Sequence, residues 1–381
     1  MKKYFIIAVF SLSFIACSSL NDKDRLGTGE YSLVQEQDKF VLLDSMTSQE
    51  TNYMQVINDK MIAIYNLPAH TICVFDLEKG VEVEKVQLHK DGPNSVRGIQ
   101  GFYYHSSDSI WLYQSWEKNL VLVNNKGIVL NKKNIQDRLQ EKAFKTNLSV
   151  APFPLTDLPI LKIDDMFVLQ GMNGPEVVDG LLPACTILFD MKKDTIKIAN
   201  EYPPVYGDRE SINDNWGTFP YRVVPYTLNK ESEMILSFPA DDNIYVYNIE
   251  SGEKKCYFAG YSQYKEMRPI AGTQKSDLQR HYLEQMQYAG IFYDEYNNVY
   301  YRLVTLPIYD YDIYDEKTQK KPMAVVILNS NFDKVGEVRL EHGDYKYRNT
   351  FVSKDGLQIN VHSEDDDYLK FVTYKLKENE K

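Results

Sequence analysis

A chain of 381 residues, 43% of them hydrophobic and 25% charged, has an ordinary globular composition, which excludes wholesale disorder and a polytopic membrane fold. A net charge of -11 with no basic run or stripe repels phosphate backbones, so nucleic acid is not an expected partner. Twenty-nine tyrosines suit half-buried strands first and recognition surfaces second.

The chain opens with a targeting segment. Lys2 and Lys3 precede an apolar run over residues 4–15, too short to cross a bilayer as a helix, which takes about 20 residues. Phe14-Ile15-Ala16-Cys17 resembles a bacterial lipobox, with Phe14 where an aliphatic residue is usual. The expectation is a lipoprotein signal peptide over 1–16, a lipid on Cys17 and a polar, flexible tether over 17–30. Such an anchor would hold the protein at an envelope membrane, with the outer membrane first in line and its periplasmic or surface face left open. A plain secretory signal that ends beside a cysteine is the competing reading.

From residue 31 onward the sequence becomes strands. Short β-branched and aromatic runs pair along the chain: 60–65 with 71–76, 108–113 with 119–124, 163–169 with 185–190, 233–238 with 243–249, 298–304 with 324–329, and 356–361 with 369–374. The clearest is the hairpin over 241–258, whose turn carries Glu250, Ser251 and Gly252. Its Tyr245 and Tyr247 should face one way and Ile244 and Val246 the other. Six pairs recurring at about 50–70 residues predict an all-β β-propeller, a single domain over 31–377 with six blades, seven remaining open, and a polar tail over 378–381. The extra strand at 39–44 would pair into the last blade and close the ring. A two-sheet sandwich or two smaller β domains is the alternative architecture. Two short helices are expected as insertions, one over 134–145 and one over about 277–287 that starts from a capping box at Ser276.

Several pieces carry a resemblance to a known family: Asp91-Gly92-Pro93-Asn94 leading to Val96 and Gly101-Phe102, Ser237-Phe238-Pro239-Ala240-Asp241, Tyr301-Arg302 with Leu306-Pro307, Gly336-Glu337, and the stretch from Phe351 to Leu357. Taken in order they resemble lipoproteins of Bacteroidetes that contain the domain of unknown function numbered 4221. The resemblance implies a lipid-anchored propeller outside the cytoplasm. It brings no reaction, no cofactor and no catalytic residue.

Candidate chemistry is sparse. The six histidines and the cysteines at 73, 185 and 256 lack zinc-site spacing, and the three cysteines read as free, buried thiols. Asp310, Asp312 and Asp315 form an acidic cluster that could hold calcium, although solvated turn acids are the commoner meaning of such a pattern. There is no Gly-x-Ser-x-Gly elbow and no phosphate-binding glycine loop. The conspicuous feature is arginine beside aromatic residues: Arg97, Tyr221-Arg222, Arg268, Tyr301-Arg302 and Tyr347-Arg348. A ring of these around a channel would bind carboxylates or glycans, and stacked or ion-paired structural arginines are the alternative. The functional expectation is a non-catalytic binding or scaffolding propeller for a glycan, peptide or protein partner, without a cofactor. The alternatives are a polysaccharide- or peptide-directed hydrolase or lyase with a site in the channel, and a structural subunit of an envelope complex.

Overall fold

Alternation along the middle strands decides how the sheets pack. In the strand Asn243–Asn248, Tyr245 and Tyr247 pack toward Val168 and Leu188 of the preceding sheet, while Ile244 and Val246 pack toward Tyr288, Val304 and Val326 of the following one. A sheet that is apolar on both faces needs a neighbour on each side, and a ring supplies both. In the computed structural model, which describes residues 26–380 apart from 173–181, 207–215, 217–218, 264–266, 271–273 and 342–343, six sheets form this ring, antiparallel except where Leu148–Ser149 joins Leu182–Asp190 in parallel. The expected signal peptide, Cys17 and the tether up to residue 25 lie outside the described residues.

Blade 1 comprises Met54–Asn58, Met61–Asn66, Thr71–Asp76 and Val81–Gln87; blade 2, Ile99–Ser106, Ser109–Gln114, Asn119–Val123 and Val129–Asn134. Blade 3 is built on Leu161–Ile163, Met166–Met172, Leu182–Asp190 and Thr195–Glu201, with the short Leu148–Ser149 and Ala151–Pro152 added. Blade 4 comprises Tyr226–Leu228, Glu233–Ser237, Asn243–Asn248 and Lys254–Phe258; blade 5, Gln287–Asp294, Val299–Thr305, Met323–Leu328 and Lys334–Arg339. Blade 6 takes Tyr345–Ser353, Gly356–Val361 and Tyr368–Glu378 from the end of the chain and Tyr31–Gln35 with Lys39–Leu42 from its start. Six apolar cores lie between successive blades, each drawing on two of them. The blade number is therefore six, not seven.

The six strand pairs legible in the sequence are the second and third strands of the blades, which are buried on both faces. The first strands converge on the axis, where Met54–Asn58, Tyr345–Ser353, Gln287–Asp294 and Tyr226–Leu228 lie side by side. The outermost strands are the most exposed: in Val81–Gln87 only Val86 is buried.

Closure follows the expected route and extends it. Lys39–Leu42 pairs antiparallel with Tyr368–Phe371, and Tyr31–Gln35 pairs with the rest of the same strand up to Glu378. Asn379 N–H then donates to the Glu30 carbonyl at 2.8 Å. Residues 378 and 379, expected in a tail, and 27–30, expected in the tether, thus take part in the seam. Glycine makes two close approaches possible there. A Cβ on Gly80 would sit 2.4 Å from the Phe40 carbonyl oxygen, and one on Gly336 2.4 Å from that of Tyr31.

An antiparallel meander sends its connections alternately to two rims. On one rim every turn is short, as at 59–60, 107–108, 249–253 and 354–355. On the other lie the long segments 88–98, 135–160, 202–225, 259–286 and 306–322. Among the described residues three α-helices belong to this elaborated rim: α1, Gln136–Thr146; α2, Phe219–Arg222; and α3, Lys275–Glu284. Helix α1 matches its expectation, and α2 had no sequence signal. Helix α3 begins two residues earlier than expected, with Gln274 as N-cap and the Asp277 carboxylate accepting its N–H at 3.2 Å. It also ends earlier, because Gln287 starts the first strand of blade 5, so Met286 and Ala289 are core residues of that blade and not a continued helical stripe. Among the described residues no helix is long and apolar enough to cross a membrane. Cys73 and Cys185 are free and buried as expected, whereas Cys256 is only half-buried, on an outer strand.

Candidate functional site

The arginine and tyrosine ring expected from the sequence does not assemble. Arg97 is exposed in the 88–98 segment, where it pairs with Asp91 and donates to the Lys90 carbonyl. Tyr221, in α2, is fully buried and donates to the Met286 carbonyl at 3.2 Å, and the carbonyl of half-buried Arg222 accepts from Tyr202. Arg268 is exposed, its main chain bonded to the Gln285 side chain and to His281. Tyr301 is buried between blades 5 and 6 and donates to Asp294 at 2.8 Å.

Arg302 has a structural environment. Its side chain is fully buried on the blade 4 side of the strand Val299–Thr305. It donates to Ser237 Oγ at 2.9 Å and to the carbonyls of Phe238, Asp241, Asp242, Asn243 and Ala259 at 2.6–3.4 Å, and it stacks 3.5 Å from the Tyr288 ring. The Tyr288 and Tyr245 hydroxyls in turn donate to Asp242 and Asp241. The guanidinium fork satisfies the turn of blade 4 where that turn meets blade 5. Burial pulls its pKa below the ordinary arginine value.

Tyr347 and Arg348 are the two members of the set on a first strand, and they reach the axis. Arg348 donates to Asp157 Oδ2 at 2.7 Å, with its guanidinium carbon 5.2 Å from the Phe219 ring and 5.4 Å from that of Tyr347. Asp157 sits in the segment that leads into blade 3 and its side chain has no solvent exposure. Burial pushes its carboxyl pKa up, against the pull of Arg348. Burial also works against the Arg348 cation, but the Asp157 carboxylate together with the Tyr347 and Tyr282 hydroxyls outweighs it and raises the guanidinium pKa. Asp157 Oδ1 has no partner among the described residues. Next to this pair, Thr156 Oγ1 accepts from Met54 N–H and donates to Asn349 Oδ1, tying blades 1, 3 and 6 together.

Asp157 also lines an axial cavity of about 210 Å³, walled by Met54, Gln55, Tyr226, Phe292, Thr350 and Phe351 among others. On the other side of Arg348, the neighbouring Tyr347 hydroxyl and burial raise the phenol pKa of Tyr282, in α3. Lys321 Nζ lies 4.7 Å from the Tyr282 ring centre and donates to the Tyr282 and Gln285 carbonyls, both at 2.6 Å. It has no carboxylate partner among the described residues, and burial lowers its pKa to about 7. The elaborated-rim end of the axis, its mouth, thus carries Arg348, Lys321 and Asp157 among aromatic rings; Lys321 and Asp157 are buried, the Arg348 side chain is 19% exposed, and of the three only Asp157 lines the cavity. None of Asp157, Phe219, Tyr282 and Lys321 carries a motif; they come from positions about 40 to 160 residues apart, and only folding identifies them.

The calcium candidate is not preformed. Asp310, Asp312 and Asp315 are exposed; Asp312 accepts the Tyr314 N–H at 2.9 Å and Asp315 that of Lys317 at 3.0 Å, as turn-capping carboxylates do. Among the described residues no three His, Cys, Asp or Glu side chains converge to hold a metal ion.

The fold and the mouth define a six-bladed β-propeller with one elaborated rim and an axial cavity. The family described as "Domain of unknown function (DUF4221)" matches residues 30–339, and the chain belongs to that family. The crystal structure of a DUF4221 member from Bacteroides vulgatus is similar at a TM-score of 0.78 and 23% identity, covering 92% of this chain and 100% of that one. A Bacteroides fragilis protein inferred to be exported is similar at a TM-score of 0.52 and 10% identity, covering 92% and 96%. No protein of curated function matches the chain.

Proposed function

We propose that this protein is an envelope lipoprotein, anchored through Cys17, whose propeller binds a glycan or peptide at the mouth of its axis without converting it. The observation that carries this reading is the cluster of cationic and aromatic side chains at the elaborated-rim end of the axis, next to the axial cavity. Arg348 and Lys321 offer charge-assisted donors, Phe219 and the Tyr282–Tyr347 pair offer ring faces, and all of them sit where the long segments emerge. The hydrolase or lyase alternative needs two carboxylates, or a carboxylate and a tyrosine, converging on a ligand. The one carboxylate described at the mouth, Asp157, is already engaged by Arg348. The basic, apolar leader ending at Cys17 and the inferred export of the Bacteroides fragilis neighbour support the envelope location.

The test incubates the purified full chain with envelope-derived and dietary-type oligosaccharides and peptides and compares the mass of bound and unbound material. The expected result is retention of a ligand at unchanged mass. Products that accumulate with time and are lost in Asp157→Asn would replace this reading with the enzymatic one.

A further inference from the structure

The directions of the first strands fix which way the axial cavity faces. Met54–Asn58, Tyr226–Leu228, Gln287–Asp294 and Tyr345–Ser353 all run from the elaborated rim to the rim of short turns, which follow them at 59–60, 229–232, 295–298 and 354–355. Among the residues that line the cavity, Met54, Thr156, Asp157, Tyr226, Ile291 and Thr350 are buried. Val56, Thr227, Phe292, Tyr293 and Val352, one or two positions nearer the short turns, are half-buried. The cavity is therefore closed toward the elaborated rim and opens toward the other. Its closed end is polar, with Asp157 bonded to Arg348 at 2.7 Å and Thr156 to Asn349 at 3.1 Å. The turns of the open rim are too short to build a site of their own or to cover this one.

The chemistry of the wall is equally specific. Most of it is apolar or aromatic, from residues such as Met54, Leu161, Ile291, Phe292 and Phe351. The polar side chains are largely engaged elsewhere: Tyr226 donates to the Pro159 carbonyl, Tyr293 to Asn298 and Thr350 to the Tyr347 carbonyl, while the Gln55 amide both donates to and accepts from the Tyr104 main chain. Asp157 Oδ1 is the buried side-chain acceptor of this wall left without a partner among the described residues. Such an acceptor calls for a donor. An ammonium group would stand beside the guanidinium that already neutralises Asp157, whereas a neutral N–H meets the acceptor without that repulsion. An apolar cavity of about 150 Å³ takes benzene, so one of about 210 Å³ takes a somewhat larger flat ring system. We infer that the axial cavity is a second binding site, separate from the elaborated-rim end and entered from the short-turn rim, for a small neutral heteroaromatic of the indole class, its ring between Ile291, Phe292 and Phe351 and its N–H donated to Asp157 Oδ1. An indole nitrogen donates and does not accept, so it brings no further polar group into the apolar wall.

The experiment titrates the full chain calorimetrically with indole, with 1-methylindole, which keeps the ring and lacks the N–H, and with benzylamine, an aromatic ammonium. Indole is expected to bind at least tenfold more tightly than either. Thr227→Trp, at the half-buried entrance, should abolish binding while unfolding remains cooperative; if it does not remain so, Val56→Trp carries the same expectation. The double replacement Asp157→Leu with Arg348→Met removes the acceptor and its counter-charge together, and should bring indole and 1-methylindole to within twofold of each other. Failure of indole to bind overturns the inference, as does equal or tighter binding of 1-methylindole or benzylamine to the parent chain, full binding by a folded entrance variant, or an indole preference that survives the double replacement.

Discussion

At the scale of single residues, Arg302 shows how a functional-looking arginine can be structural. Tyr301-Arg302 and Ser237-Phe238-Pro239-Ala240-Asp241 are separate pieces of sequence, yet they meet in one network, with Arg302 donating to Ser237 Oγ and to the Phe238 and Asp241 carbonyls. Removing the guanidinium while keeping similar volume leaves several buried carbonyls unpaired, each costing on the order of 1–3 kcal/mol, partly offset by relief of a buried charge. Arg302→Met is therefore expected to lower unfolding stability by about 3 kcal/mol or more in urea titrations. A midpoint unchanged from the parent would show that the network does not hold blade 4 to blade 5. Tyr347-Arg348 has the same aromatic–arginine pattern and a different fate, because it lies on a first strand facing the axis. Sequence could not separate the two cases: strand position within a blade, not residue type, decides which arginine is accessible.

At the scale of elements, the closing strand is the place where local sequence and ring topology meet. Val41 points into the core between blades 6 and 1 with no exposure, and its neighbour Leu42 is 43% exposed on the opposite face. The strand joins the start of the chain to its end, so a buried charge there should unlatch the ring. Val41→Asp is expected to cost about 3 kcal/mol or more of stability and Leu42→Asp about 0.5 kcal/mol or less, as read from thermal and urea unfolding. Equal effects at the two positions would mean that the seam contributes no closure. The expected pairing of this strand with the last blade was legible because an unpaired apolar run at one end of a repeat array has few other partners. The further pairing of Tyr31–Gln35 and the inclusion of residues up to 379 were not, since exposed strand edges of mixed polarity look like tether or tail.

At the scale of the whole molecule, the two rims divide the labour. Turns of two to five residues on one rim leave little room for a site, and the long segments of the other rim gather around the axial mouth. The described chain begins near the seam of blades 5 and 6, where Thr28 N–H donates to the Lys334 carbonyl, so a short tether would hold this part of the ring close to a membrane. If Cys17 carries the lipid, Cys17→Ala should move the protein from the membrane to the soluble fraction of lysed cells with its unfolding midpoint unchanged. Continued membrane association of that variant would count against the anchor.

The sequence by itself determined the all-β class, the six repeats, the closing strand and the two-faced packing of the middle strands. These follow from a period of two along each strand and a recurrence along the chain, both of which are local. It also carried the resemblance to the family, through motif pieces of which two, Ser237–Asp241 and Tyr301-Arg302, meet in the blade 4 to blade 5 network only in three dimensions. Only the tertiary structure decided which arginines face the axis, that Asp157 and Lys321 join them, and that the acidic run at Asp310 to Asp315 caps turns. Those properties depend on burial and on neighbours brought from distant blades, and no spacing rule links residues that become adjacent only when a ring closes.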